Sequence, residues 1–169
     1  PANFGISTDQ TQHVIWRIEN GELDGISPKV TVLMLGTNNT GIAPLGHTAA
    51  EIAAADKKIV QMIRAKIPGT KVLLLAVFPR GARKDQQGVI TDSAITDAAR
   101  RTEIINAVNR ELAKLDDGKN VRYLDINASF LGQDGKIPFA IMPDQLHPNA
   151  AGYQLWADAM KPLLTEMMQ

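Results

Sequence analysis

Three short apolar runs punctuate the chain, at residues 30–35, 71–78 and 121–124. Their β-branched content and the turn residues that flank them predict strands. None of the three alternates strictly between apolar and polar positions, so each is expected to be buried on both faces, as in a parallel sheet covered by helices. Helical periodicity fills the intervals. Over 12–23, Val14, Ile15 and Ile18 share a face. Over 48–67 the stripe is Ile52, Ala55, Ile59, Met62 and Ile63; the segment opens on the capping box Thr48-Ala49-Ala50-Glu51 and stops at Pro68-Gly69. Residues 95–115 turn Ile104, Ile105, Val108, Leu112 and Leu115 inward and end in Asp116-Asp117-Gly118, and a last helix is expected over 149–167. Strands alternating with helices predict a three-layer α/β/α domain with a doubly wound parallel sheet and right-handed crossovers. With no internal repeat, low-complexity tract or linker, residues 1–169 read as a single domain.

Composition narrows the function classes. The chain has 169 residues, 44% of them hydrophobic, enough for a core without disulfides or a structural metal. The absence of cysteine removes disulfides, thiolate zinc sites and cysteine nucleophiles together. Eighteen basic residues balance 18 acidic ones, so there is no broad basic surface for nucleic acid or anionic lipid. The apolar runs are far shorter than the ~20 residues that cross a bilayer, so a soluble protein without a membrane span is expected, its compartment open. His13, His47 and His147 lie in separate segments without a ligand spacing, so neither a metal site nor another cofactor is expected. Trp16 and Trp156 are read as packing residues on helix faces.

In open parallel sheets, active groups gather beyond the carboxyl ends of the strands. Directly after the first run comes Leu35-Gly36-Thr37-Asn38-Asn39, which is either a turn or a device for aiming an amide donor at a ligand. Ahead of the last helix stands Asp144-Gln145-Leu146-His147-Pro148-Asn149. A carboxylate three residues before an imidazole reaches the Nδ1–H of that ring, sets its tautomer and leaves Nε2 as a base; the alternative is a helix N-cap beside a surface histidine. Near the N-terminus, Asn3-Phe4-Gly5-Ile6-Ser7-Thr8-Asp9 reads as a strand end passing into a helix, where unpaired N–H groups face an anion or Thr8 or Asp9 simply caps the helix. Arg80 after the second run is either a contact for an anionic substrate or a solvated loop residue, and residues 81–91 are expected to form a mobile loop.

Taken together with Gln12-His13-Val14-Ile15-Trp16-Arg17, Glu19-Asn20-Gly21-Glu22-Leu23, Phe78-Pro79-Arg80-Gly81 and Gly152-Tyr153, these stretches span the chain. They resemble the SGNH (GDSL-type) esterase and lipase superfamily, with its flavodoxin-like fold, and within it the platelet-activating-factor acetylhydrolase catalytic-subunit branch and its bacterial relatives. The resemblance implies a serine esterase acting on short-chain, acetyl-type esters. It implies His147 as the base, Asp144 as its orienting carboxylate and Asn38 as the side-chain donor of an oxyanion hole. The family's backbone donor is a glycine N–H, and its position is occupied here by Thr8; if that glycine holds a positive φ, threonine there is strained.

The nucleophile of the family sits in a Gly-Asp-Ser turn after the first strand, and no Gly-Asp-Ser occurs in this sequence. Ser7, Ser27, Ser93 and Ser129 all fall elsewhere. The resemblance places the missing first strand between two others, so its absence is expected to leave two unpaired apolar edges facing one slot. A separate polypeptide carrying the first strand, the Gly-Asp-Ser turn and the following helix is the expected partner, bound by strand insertion. The other partner is a small ester substrate, and the family branch includes homodimers. A non-catalytic binding domain that has lost its nucleophile is the alternative reading.

Overall fold

In a computed structural model the protein is described over residues 2–42 and 46–169. Three parallel strands, β1 (Val30–Leu33), β2 (Lys71–Leu75) and β3 (Val121–Leu124), pair in the order β1-β2-β3. Val30 lies opposite Lys71, and Val72 opposite Val121. The helices are α1 (Thr11–Glu19), α2 (Ala49–Lys66), α3 (Asp92–Ala113) and α4 (Ala150–Met167).

The pleat of β2 divides the core in two. Val72 and Leu74 pack with Ile18 of α1, Ile52, Ile59 and Ile63 of α2 and Ile105, Val108 and Leu112 of α3. Leu73 and Leu75 point to the opposite face, against Met160, Leu163, Leu164 and Met167 of α4. This is the three-layer α/β/α architecture with a parallel sheet that the alternation of strands and helices predicts. Burial on both faces holds for β2 alone. β1 is an edge strand whose Val32 is 40% exposed, and β3 is fully buried only at Val121.

The capping box of α2 forms as read, with Glu51 N–H donating to Thr48 Oγ1 and Thr48 N–H to Glu51 Oε2. Helix α1 ends at Glu19, short of residue 23, because the chain turns through Gly21 at φ 96°. Helix α3 begins at Asp92 rather than 95, since the Thr91 hydroxyl accepts from Ala94 N–H and caps it.

The N-terminal segment departs further from expectation. Residues 2–6 form no strand, and α1 is capped by Gln10, not by Thr8 or Asp9. Two strand edges facing one slot are therefore not found: among the described residues, β1 alone borders an open edge on that side. No helix among the described residues is long and apolar enough to cross a membrane.

Candidate active site

Gly36 ends the β1 segment at φ 117°, and a Cβ there would lie 2.9 Å from Ile52 Cγ2, so the turn requires glycine on both counts. It throws Thr37–Thr40 into one turn of 3₁₀ helix. The two asparagines of that turn have separate tasks. Asn39 is fully buried; its Oδ1 accepts from Thr11 N–H at 3.0 Å and its Nδ2 donates to Thr11 Oγ1 and Gln12 Oε1. It fastens the turn to the start of α1. Half-buried Asn38 donates from Nδ2 to the carbonyl of Asp9 at 2.9 Å. An amide carries two hydrogens, so one remains for a ligand.

Thr8 precedes the residue that Asn38 holds. Its φ is 68°, a left-handed conformation that a β-branched side chain rarely adopts. The strain expected of threonine at a glycine position is therefore present. No described group accepts from the Thr8 N–H. Thr8, Gln10, Asn38, Gly41, Ile42, Arg80 and Arg101 line an open cleft of about 520 Å³.

Asp144 and His147 meet in the loop before α4. His147 Nδ1 lies 2.7 Å from Asp144 Oδ2, while the N–H groups of Leu146 and His147 donate to Asp144 Oδ1 at 3.1 and 2.8 Å. Burial alone would raise the Asp144 carboxyl, but the His147 N–H and ring, joined by the Leu146 N–H, outweigh it and hold the group down at about 2. The carboxylate is thus charged and fixed on both oxygens. The His147 side chain is 70% exposed and open to a reacting group. Asn149 separately caps α4, accepting from Gly152 N–H at 3.1 Å, so the cap and the Asp-x-x-His pair are both present.

Gln145, between the two, was not legible as a site residue. It adopts φ 62° and is buried, with Nε2 donating to the carbonyls of Ile137 and Met142 at 3.1 Å each. Its own carbonyl accepts from Gly81 N–H at 3.1 Å. Arg83, 3.2 Å from Asp144 Oδ2, was also missed. The start of the 81–91 loop is therefore fastened to the histidine loop. One residue earlier, Arg80 Nη1 lies 3.4 Å from both Thr37 O and Thr37 Oγ1, next to Asn38. Residues 80–83 thus bridge the cleft to the Asp144–His147 pair, which does not itself line the cleft. Arg80 is half-buried, not a solvated loop residue. Burial, with Arg101 and Arg83 adding repulsion, lowers its guanidinium to about 10.

The four serines are exposed, and none is hydrogen-bonded to His147 among the described residues. His13 Nδ1 accepts from Gln10 N–H at 3.2 Å, and His47 Nδ1 faces Asn39 Nδ2 at 3.3 Å. Trp156 packs edge-on against Phe78, with ring centroids 4.8 Å apart, whereas Trp16 is 64% exposed on α1 and is not a packing residue.

Comparison with known proteins extends this picture. The model of the GDSL-like Lipase/Acylhydrolase family matches residues 1–155. The chain is 36% identical over 166 residues to the platelet-activating factor acetylhydrolase IB subunit alpha1 of Bos taurus, covering 98% of this chain and 64% of that protein. It is 36% identical over 167 residues to the alpha2 subunit of Rattus norvegicus, covering 99% of this chain and 64% of that protein. The chain thus spans under two thirds of the length of these curated relatives. Its fold matches a member of the lipolytic protein G-D-S-L family from Veillonella parvula with a TM-score of 0.69 at 21% identity, covering 97% of this chain and 79% of that one.

Proposed function

The chain belongs to the GDSL-like lipase/acylhydrolase family, and from that premise we propose that it supplies the acid–base and oxyanion half of a serine esterase. In this reading the nucleophilic serine stands on a segment outside these 169 residues. The substrates are short-chain, acetyl-type carboxylic esters, a preference taken from the acetylhydrolase names of the relatives. The observation that carries the reading is the Asp144–His147 pair at 2.7 Å, with the carboxylate held by two further N–H groups.

The chemistry follows from that arrangement. Asp144 accepts the Nδ1–H of His147, which leaves Nε2 without a proton and able to take one from a serine hydroxyl. As the hydroxyl oxygen bonds to the ester carbonyl carbon, the carbonyl π pair moves to its oxygen. In this reading that oxyanion is met by the free hydrogen of the Asn38 amide and by the Thr8 N–H, a pairing supported by the two residues lining one cleft. His147 then returns its proton to the departing alcohol, and water repeats the sequence to release the acid. Asp144 stays ionised throughout and stabilises the imidazolium.

The expected partner is the polypeptide or segment that bears the serine, and the open edge of β1 beside Val32 is where a strand would add. The same lack of a serine at His147 favours a second reading, a binding domain that uses the cleft without turnover. His147→Ala separates the two. In the assembly that contains the serine segment, acetyl-ester turnover is expected to fall at least about 10³-fold with the fold unchanged. Equal turnover in that variant contradicts the assignment.

A further inference from the structure

A single turn of 3₁₀ helix has poor hydrogen-bond geometry and needs neighbours to hold it. The turn that carries Asn38, Thr37–Thr40, is of this kind. Asn39 ties its middle to Thr11 of α1. Its end is tied to α3 by two guanidinium groups that one carboxylate aligns. Asp97 Oδ1 accepts from Arg100 Nη2 at 2.7 Å, and Asp97 Oδ2 from Arg101 Nε at 2.6 Å. With both forks so fixed, Arg100 Nη2 donates to the Thr40 carbonyl at 3.0 Å and Arg101 Nη1 to Thr40 Oγ1 at 3.1 Å, while Arg100 Nη1 reaches the Gly41 carbonyl at 3.3 Å. Thr40 is 1% exposed, and its hydroxyl passes its own hydrogen to the Thr37 carbonyl at 2.7 Å, across the turn that holds Asn38. Burial alone would raise the Asp97 carboxyl, but Arg100 and Arg101 outweigh it and hold it low, so the anchor is charged. Ion pairs between residues three and four apart on a partly exposed helix face contribute little to stability. What these two do is fix the direction of charged donors on Thr40 and Gly41.

We propose that Asp97 is a positioning residue for the reaction: by aligning Arg100 and Arg101 on Thr40 and Gly41, it fixes the turn from which Asn38 aims its amide at the reacting carbonyl. The inference rests on the reading of Asn38 as an oxyanion donor and adds the group that holds that donor in place. Such a donor works only within hydrogen-bond reach of the oxyanion, and a misplacement of about 1 Å costs on the order of 10²-fold in rate. Asp97 itself touches neither the substrate nor Asn38; it acts through the two arginines.

The test is a double-mutant cycle in the assembly containing the serine segment, read as kcat and KM for para-nitrophenyl acetate. D97N keeps the size of the side chain and removes the charge that aligns both forks. It is expected to lower kcat about tenfold or more and to change KM by less than about threefold. D97E, which keeps a carboxylate on a longer arm, falls between. In the N38A background the same D97N change should alter kcat by less than about threefold, because the donor it positions is gone. An equal loss in both backgrounds overturns the proposal. So does an unchanged kcat in D97N, or an effect confined to KM, which would make Arg101 a substrate contact instead. Should D97N fail to fold, R101K, which keeps the charge but not the fork to Thr40, takes its place in the same cycle. If N38A leaves kcat unchanged, or no ester is hydrolysed, the oxyanion reading fails. The placement of Asn38 is then decided by its side-chain amide signal in correlation NMR spectra of the same assembly, assigned by its absence in N38A. A displaced or broadened signal in D97N sustains the positioning role, and an unmoved one ends it.

Discussion

Replacing Gly81 by alanine would place a methyl group 2.0 Å from Gln145 Oε1, 2.8 Å from its Cδ and 3.0 Å from its Cβ. The amide escapes only by rotating out of its buried site, and in doing so gives up both bonds to the Ile137 and Met142 carbonyls. Two such bonds contribute about 1 kcal/mol each, and overpacking adds about 1 kcal/mol, so Gly81→Ala is expected to cost about 3 kcal/mol. Urea unfolding by linear extrapolation measures it. Gln145→Gly removes the obstructing side chain and suits the φ of 62° at that position. In that background Gly81→Ala should cost under about 1 kcal/mol, a coupling of about 2 kcal/mol in the double-mutant cycle. Equal costs in the two backgrounds would refute the reasoning, because the penalty would not come through Gln145. Turnover should fall in the single variant as well, since Gln145 separates Asp144 from His147.

Thr8→Gly relieves a left-handed backbone worth about 1–2 kcal/mol for a side-chain-bearing residue, offset by about 0.5–1 kcal/mol of added chain entropy in the unfolded state. A small rise in Tm is therefore expected, and a fall would show that Thr8 is not strained. Asp56 is 1% exposed, neither of its oxygens has a partner among the described residues, and burial pushes its carboxyl well above its ordinary value of 3.8. A raised folded value means that stability is full below the unfolded value and is lost as pH rises from there through the folded one. Asp56→Asn abolishes that titration, so the Tm gap between variant and wild type should widen in the variant's favour from pH 4 towards pH 8. A constant gap would contradict it. Asn38→Ala should lower kcat about 10²- to 10³-fold in the serine-containing assembly with KM nearly unchanged; a change confined to KM would mean that Asn38 binds the ground state.

The elements read most directly were those whose signals are local. Thr48 and Glu51 announce the start of α2, and Asn149 caps α4 where the last helix was expected. Boundaries failed where the signal is a single polar cap outside any apolar period, or where neighbouring strands set the end. The Thr91 cap lies in a polar stretch without apolar periodicity. Phe78 is buried and apolar, yet β2 ends at Leu75, where its partners β1 and β3 also run out of ladder. Burial of all three strands was over-read because edge and centre cannot be told apart from composition. At the site, the Asp144–His147 spacing fits one turn of chain and was visible, as was Asn38 through the resemblance. Gln145, Asn39 and Arg83 were not. Gln145 works by filling space under Gly81, Asn39 by joining segments 28 residues apart, and Arg83 by reaching a carboxylate 61 residues on. Such contacts leave no period or spacing in the sequence.

The central claim is that His147 serves a serine outside these 169 residues. The direct measurement is fluorophosphonate labelling of the purified assembly, followed by intact mass of every polypeptide under denaturing conditions and mapping of the labelled site. The account predicts one label on a serine outside residues 1–169, formed far more slowly in His147→Ala. A label on Ser7, Ser27, Ser93 or Ser129, or no label on any polypeptide, would contradict it.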